Sequence, residues 1–243
     1  MTVTDYKKTY ERHVSSLEGR LPRKDDALQM AIGGEFEAVG KLEYHLLRSL
    51  GLSDGQLVVD VGCGCGRLAV QLARFPLIRY VGCDVVQRLL DHASEISGRP
   101  DWRFVCSDGA GIPCEDGAAD LVCFFSVFTH LLHEDIFRYF RESARVLKPG
   151  GRLVFSFLEF RIRCHWTPFI ETVQSTLPGQ HMNQFIDRDA IRAWAEHAGF
   201  EVVQLHDGDK PHIPIPEEIR WENGARMGTL GNLGQSVAVL VKA

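Results

Sequence analysis

Val58-Val59-Asp60-Val61-Gly62-Cys63-Gly64-Cys65-Gly66-Arg67-Leu68-Ala69-Val70-Gln71-Leu72-Ala73 reads as an apolar strand, a glycine-rich turn and the opening of a helix. Leu57, Val58, Val59 and Val61 are apolar on both faces, as a parallel strand covered by helices on each side requires. Leu68, Ala69, Leu72 and Ala73 then recur at helical spacing. Glycine at alternate positions of the turn lets the backbone pass close to a ligand above the carboxyl end of the strand, where open α/β sheets bind theirs.

The spacing narrows the ligand. A dinucleotide fingerprint, Gly-x-Gly-x-x-Gly, needs a third glycine where this chain has Arg67. Asp60, two residues before the first glycine, sets a carboxylate at the strand end, which repels a pyrophosphate and suits a cationic or zwitterionic ligand.

Asp60-Val61-Gly62-Cys63-Gly64-Cys65-Gly66 resembles motif I of the class I S-adenosylmethionine-dependent methyltransferases. Further matches follow in that family's order. Tyr80-Val81-Gly82-Cys83-Asp84 resembles its second strand, Phe104-Val105-Cys106-Ser107-Asp108-Gly109 its third, Asp120-Leu121-Val122-Cys123-Phe124-Phe125-Ser126 its fourth, and Val146-Leu147-Lys148-Pro149-Gly150-Gly151-Arg152-Leu153-Val154 the turn into its fifth. The resemblance is close over roughly residues 55–160. It implies an α/β fold: a doubly wound, mostly parallel seven-stranded sheet in the order 3-2-1-4-5-7-6, its last strand antiparallel, with an amino-terminal helical cap. It also implies S-adenosyl-L-methionine as cofactor and S-adenosyl-L-homocysteine as product. The cofactor residues carried over are Asp60, Gly62, Cys63, Gly64, Asp84, Val85, Asp108, Gly109 and Ser126, with Asp84 on the ribose hydroxyls, Asp108 on the adenine amino group, and Asp60 reaching the methionine part directly or through backbone and water.

Length and composition fit one domain, and the resemblance implies a single methyltransferase domain over 1–243, comprising a helical lid (1–50), a cofactor-binding half (51–160) and a substrate-side half with cap insertions (161–243). With 45% hydrophobic residues the chain can bury a real core. A net charge of −5 and a pI near 6.1 argue against a broad phosphate-binding surface, and no Asn/Asp-Pro-Pro-Tyr or Pro-Cys stretch follows the fourth strand. The expected partner is a small-molecule methyl acceptor rather than nucleic acid or membrane, and the expected assembly a monomer or homodimer. No signal-peptide core or ~20-residue apolar span is found, so a cytoplasmic location is expected. The seven cysteines lack a Cys-x-x-Cys and fall mostly in apolar strands, so they read as small core residues and no metal is expected.

Around this frame, Tyr6, Tyr10, Val14 and Leu17 share one helical face, and Phe36, Val39, Leu42, Leu46, Leu47 and Leu50 another, stopped by Gly51. Helices ahead of motif I in the family pack on the sheet edge or fold over the cofactor. Tyr10 and Phe36 therefore either line the substrate site or fill the core. Residues 159–184 and 206–234 read as long connections, and loops of that length commonly carry function. The first holds His165, Trp166, Phe169 and His181. His165, Trp166 and His181 are taken as acceptor contacts, with a minor core as the other reading of Trp166. Asp187 is expected to cap the helix behind it, with Ile186 and Ile191 as a staple. His130, just past the fourth strand, stands where donor and acceptor meet. It is either the general base or a residue that shapes its loop.

The reaction these features imply is methyl transfer to an O or N atom of a small, aromatic or heterocyclic metabolite. The competing readings are an NAD(P)-dependent oxidoreductase on a Rossmann-like sheet and a non-catalytic S-adenosylmethionine-binding protein.

Overall fold

A computed structural model of the protein describes residues 3–174 and 183–243, the side chains from residue 6 onward. The glycine-rich stretch becomes β1 (Leu57–Val61), buried along its whole length, and α4 (Arg67–Leu72). Strand and helix then alternate as the apolar periodicity predicts, except that the third strand leads to the fourth through a loop with no helix between them. They run β2 (Arg79–Asp84), α5 (Gln87–Ser97), β3 (Arg103–Cys106), β4 (Ala119–Phe124), α6 (His133–Val146) and β5 (Leu147–Phe157). Ahead of β1 lie α1 (Val3–Glu18), α2 (Lys24–Ala31) and α3 (Phe36–Ser49), and Gly51 follows α3 with φ +90°. After β5 come α7 (Trp166–Gln174), α8 (Arg188–Ala198), β6 (Phe200–His206), β7 (Ile213–Arg220), β8 (Arg226–Gly231) and β9 (Ser236–Lys242).

Seven of these strands form one sheet in the order β3-β2-β1-β4-β5-β9-β6. Counting only its members, this is 3-2-1-4-5-7-6. The pairs among β1 to β5 are parallel, and β9 runs antiparallel to both β5 and β6. One face carries Phe124, Phe128, Phe140, Phe155 and Phe157 in a contiguous aromatic cluster with Ile136 and Ile191. The other face packs Leu42, Leu46 and Leu47 of α3 against Val58, Leu68, Leu121 and Val239.

Both long connections differ from the sequence reading. Residues 159–174 contain a 3-10 turn (Arg163–His165) and then α7, not an open loop. Residues 206–234 contain the two-stranded sheet β7-β8, whose Ile213, Ile215 and Ile219 pack into the core under α3. Prolines 214 and 216 alternate with those isoleucines on the exposed side, which a two-stranded ribbon tolerates and an interior strand does not. This hairpin is a prop for α3 and not a wall of the central cavity. Asp187 stands at the cap of α8 in extended conformation, but its side chain makes no capping hydrogen bond there.

Candidate active site

The carboxyl ends of β1, β2 and β4 open into a cavity of about 460 Å³ that α1 and α2 cover. Its floor is the glycine turn. Gly62 and Gly64 have φ of +75° and +55°, and a Cβ on either would strike Val127 or Ile32. Only glycine holds this backbone without strain.

The backbone donors at Gly62, Cys63, Gly64 and Gly66 of the turn are already engaged. Gly62 and Cys63 N–H both donate to the Cys83 carbonyl (2.7 and 3.1 Å), Gly66 N–H to the Cys63 carbonyl (3.1 Å), and Gly64 N–H to Asp84 Oδ2 (3.0 Å). A pyrophosphate cradle needs such groups pointing at the ligand. This turn offers little of that.

Carboxylates dominate the floor instead. Asp84 is half-buried, accepts from Gly64 and Val86 N–H (3.0 Å each) and retains lone pairs toward the cavity. Burial raises its pKa and those backbone bonds oppose the rise. Asp60, 3% exposed, accepts from the Tyr80 hydroxyl (2.8 Å) and the Cys123 thiol (3.6 Å). Desolvation raises it to about 7, with nearby Glu43 adding to the rise and the two hydrogen bonds opposing it. Arg67 is spent on Glu43, with Nη2–Oε1 at 2.6 Å, and donates to the Ile32 carbonyl. A cationic ligand is favoured over this floor and an anionic one opposed.

The rim is apolar and aromatic. Tyr6, Tyr10, His13, Met30, Ile32, Val127, Leu131 and Tyr139 line it with His130. Tyr10 and His130 meet edge to face, with ring centroids 5.6 Å apart. The Tyr6 hydroxyl donates to Asp135 (2.9 Å) and accepts from Leu132 N–H (3.0 Å), tying α1 to the loop that follows β4. On the far side Arg88 binds Glu18, Ser15 and the Glu11 carbonyl.

Among the residues expected from sequence, the cavity lining brings together Asp60, Gly62, Cys63, Gly64, Asp84, Val85, Gly109, Ser126, Tyr10 and His130. Asp108 is exposed outside the lining, its Oδ1 accepting from Ala110 N–H (2.9 Å); the neighbouring Ser107 and Gly109 face the cavity instead. Phe36 packs with Val14, Leu28 and Leu89 in a small core. His165 is 1% exposed and bonds Glu159 and the Gly234 carbonyl. Trp166 joins Phe160 and Phe169 in a surface aromatic cluster that Phe185 completes. These three lie outside the cavity lining, and His181 lies outside the described residues. Glu43, Tyr139 and Gln235 line the cavity without a local sequence signal, because each comes from a different element that only the fold brings to this spot, and Arg67 joins them from the end of the glycine turn.

A family model described as "Methyltransferase domain" matches residues 59–155, which span the glycine turn and the strand ends just described. A malonyl-[acyl-carrier protein] O-methyltransferase of Geobacter sulfurreducens is 30% identical over 76% of this chain and 72% of its own. A ubiquinone biosynthesis O-methyltransferase of Coxiella burnetii is 28% identical over 62% of this chain and 66% of its own. Among solved structures, magnesium protoporphyrin IX methyltransferase of Synechocystis PCC 6803 with bound S-adenosylhomocysteine superposes at a TM-score of 0.63, with 16% identity, over 98% of this chain and 100% of that one. The cofactor is S-adenosylmethionine, and the residues fit it: glycine turn below, an acid at the end of β2, acidic floor for a sulfonium. The chain belongs to the class I S-adenosylmethionine-dependent methyltransferases.

Proposed function

We propose that this enzyme methylates an oxygen or nitrogen of a small, partly aromatic metabolite, with His130 as general base. The observation that carries the reading is the Tyr10–His130 pair on the rim of a mostly apolar cavity, at the carboxyl end of β4. Apolar walls with a few polar handles suit a small ring-bearing molecule. The relatives named O-methyltransferases support an oxygen acceptor.

The cofactor supplies a methyl on a sulfonium, open to in-line displacement. Asp84 would hold the ribose hydroxyls through its remaining lone pairs, and Asp60 the positive end of the methionine part. His130 takes the proton from the acceptor's O–H or N–H as it attacks, and the Tyr10 edge fixes the imidazole plane. The α1–α2 cover excludes water and holds the partners in line. In this division of the chain, α1 and α2 within residues 1–50 are the lid, 51–160 hold the cofactor, and residues 161–243 reach the acceptor side through Gln235.

A panel of phenols, hydroxylated heterocycles and amines, read by S-adenosylhomocysteine release, tests the proposal. His130→Ala should slow the single-turnover rate at least ~10²-fold with S-adenosylhomocysteine affinity unchanged. A full rate in His130→Ala at saturating acceptor, or methylation of thiols alone, contradicts it.

A further inference from the structure

Ser126, Ser156 and Gln235 close a hydrogen-bonded ring at the acceptor end of the cavity. Ser126 has φ +58°, a left-handed conformation rare outside glycine. Its N–H donates to Ser156 Oγ (2.7 Å), Ser156 Oγ–H donates to Gln235 Oε1 (2.7 Å), and Gln235 Nε2 donates to Ser126 Oγ (3.1 Å). The Ser126 carbonyl accepts from Thr129 Oγ1 (3.1 Å). A strained conformation held by this many bonds is of the kind that clusters at functional sites.

The direction of the ring is set by its first member. A backbone N–H can only donate, so Ser156 accepts there and gives its own hydrogen to Gln235; being 1% exposed, it would otherwise bury an unpaired donor. The amide oxygen therefore faces Ser156 and the amide nitrogen faces Ser126. Two hydrogens remain outside the ring: the Ser126 hydroxyl hydrogen and the second amide hydrogen of Gln235. Both residues line the cavity.

Gln235 is held as firmly as a site residue needs to be. The Gly234 carbonyl before it is bonded to His165 Nε2 (3.2 Å), and Ser236 after it bonds Glu159 Oε1 (2.5 Å) and Gly208 N–H (3.1 Å). Glu159 is itself clamped by Arg188 at 2.7 Å. That buried hub gives His165 a role away from the cavity.

Strand order says which end of the cavity this is. Asp84 ends β2, the glycine turn follows β1, Ser126 follows β4, and Gln235 precedes β9 beyond β5. At ~4.8 Å per strand, β2 and β9 stand roughly 19 Å apart. The ring therefore lies on the far side of the glycine turn from the ribose acid, next to His130.

We propose that Ser126 and Gln235 form a two-donor clamp for a carboxylate or carbonyl oxygen of the methyl acceptor, making the acceptor an oxyanion-bearing molecule held by that oxygen while His130 serves the atom that is methylated. This rests on the methyl-transfer reading above.

The test is nuclear magnetic resonance of the protein saturated with S-adenosylhomocysteine, titrated with benzoate, and with benzylamine as control. Benzoate should shift the Gln235 side-chain amide resonances and benzylamine should not. Gln235→Leu and Gln235→Glu should each weaken benzoate at least tenfold while S-adenosylhomocysteine affinity stays within twofold, and Ser126→Ala should weaken it in the same direction. Benzoate that leaves the amide unmoved, or binds Gln235→Leu as well as wild type, overturns the clamp. A loss of S-adenosylhomocysteine affinity in the Gln235 variants assigns the donors to the cofactor's own carboxylate and also overturns it. Failure of S-adenosylhomocysteine to bind wild type would instead sink the underlying reading, and is seen before any benzoate is added.

Discussion

Asp60, one residue before the end of β1, stands in a place where its charge is costly to the free protein and useful to a bound cation. Its pKa near 7 in the fold compares with about 3.9 in an unfolded chain. Between those values the native protein holds a proton that the unfolded chain has released. Stability contributed at this residue therefore falls as pH rises through the window, and the loss is complete above about 7. Asp60→Asn can still accept from Tyr80 and carries no charge. Unfolding of the unliganded proteins should show near-equal stability at pH 4 and a growing advantage for Asp60→Asn towards pH 8, on the order of 3–4 kcal/mol at the top. A constant difference across pH would show that Asp60 is not the titrating group. With Asp60 in its proposed role at the positive end of the methionine part, the same variant should bind S-adenosylmethionine more weakly, because the floor loses that charge.

At the scale of elements, α1 is a cover tied down at both sides, by Tyr6 to the loop after β4 and by Arg88 to Glu18. Tyr6→Phe removes the hydroxyl that Leu132 N–H donates to and that donates to Asp135, a loss of roughly 1–3 kcal/mol where the groups stay buried. Stopped-flow measurement should then show faster S-adenosylhomocysteine release with little change in the association rate; an unchanged release rate would mean that α1 does not gate the cavity. The lid face was legible in sequence because Tyr6 and Tyr10 repeat at helical spacing, and so was every strand of the main sheet, since apolar runs mark them, those of β1, β2 and β3 leading into Gly62, Asp84 and Asp108. The hairpin β7-β8 was not. Its Ile-Pro-Ile-Pro alternation carries the period of a strand, but proline argues against one, and only the packing under α3 decides the matter. The aromatic residues Trp166 and Phe169 fit either a pocket wall or a minor core by composition, and only the fold sets them with Phe160 and Phe185 in a cluster outside the cavity lining. Asp108 followed the family pattern in sequence and turned outward because its carboxylate serves the next turn.

For the molecule as a whole, the sheet gathers one acidic floor, one aromatic rim and one two-donor clamp along the carboxyl ends of successive strands. None of these is contiguous in sequence, which is why Glu43, Ser156 and Gln235 carry no signal before folding, whereas the glycine turn and Asp84 do. The central claim is that S-adenosylmethionine lies over that turn with its ribose on Asp84. Titration calorimetry of wild type and Asp84→Ala with S-adenosylhomocysteine, and of wild type with NADH, tests it most directly. The account predicts single-site binding of S-adenosylhomocysteine, weakened more than tenfold (about 1.4 kcal/mol) in Asp84→Ala, and no heat with NADH. Unchanged affinity in Asp84→Ala, or tight NADH binding with no response to S-adenosylhomocysteine, would contradict it.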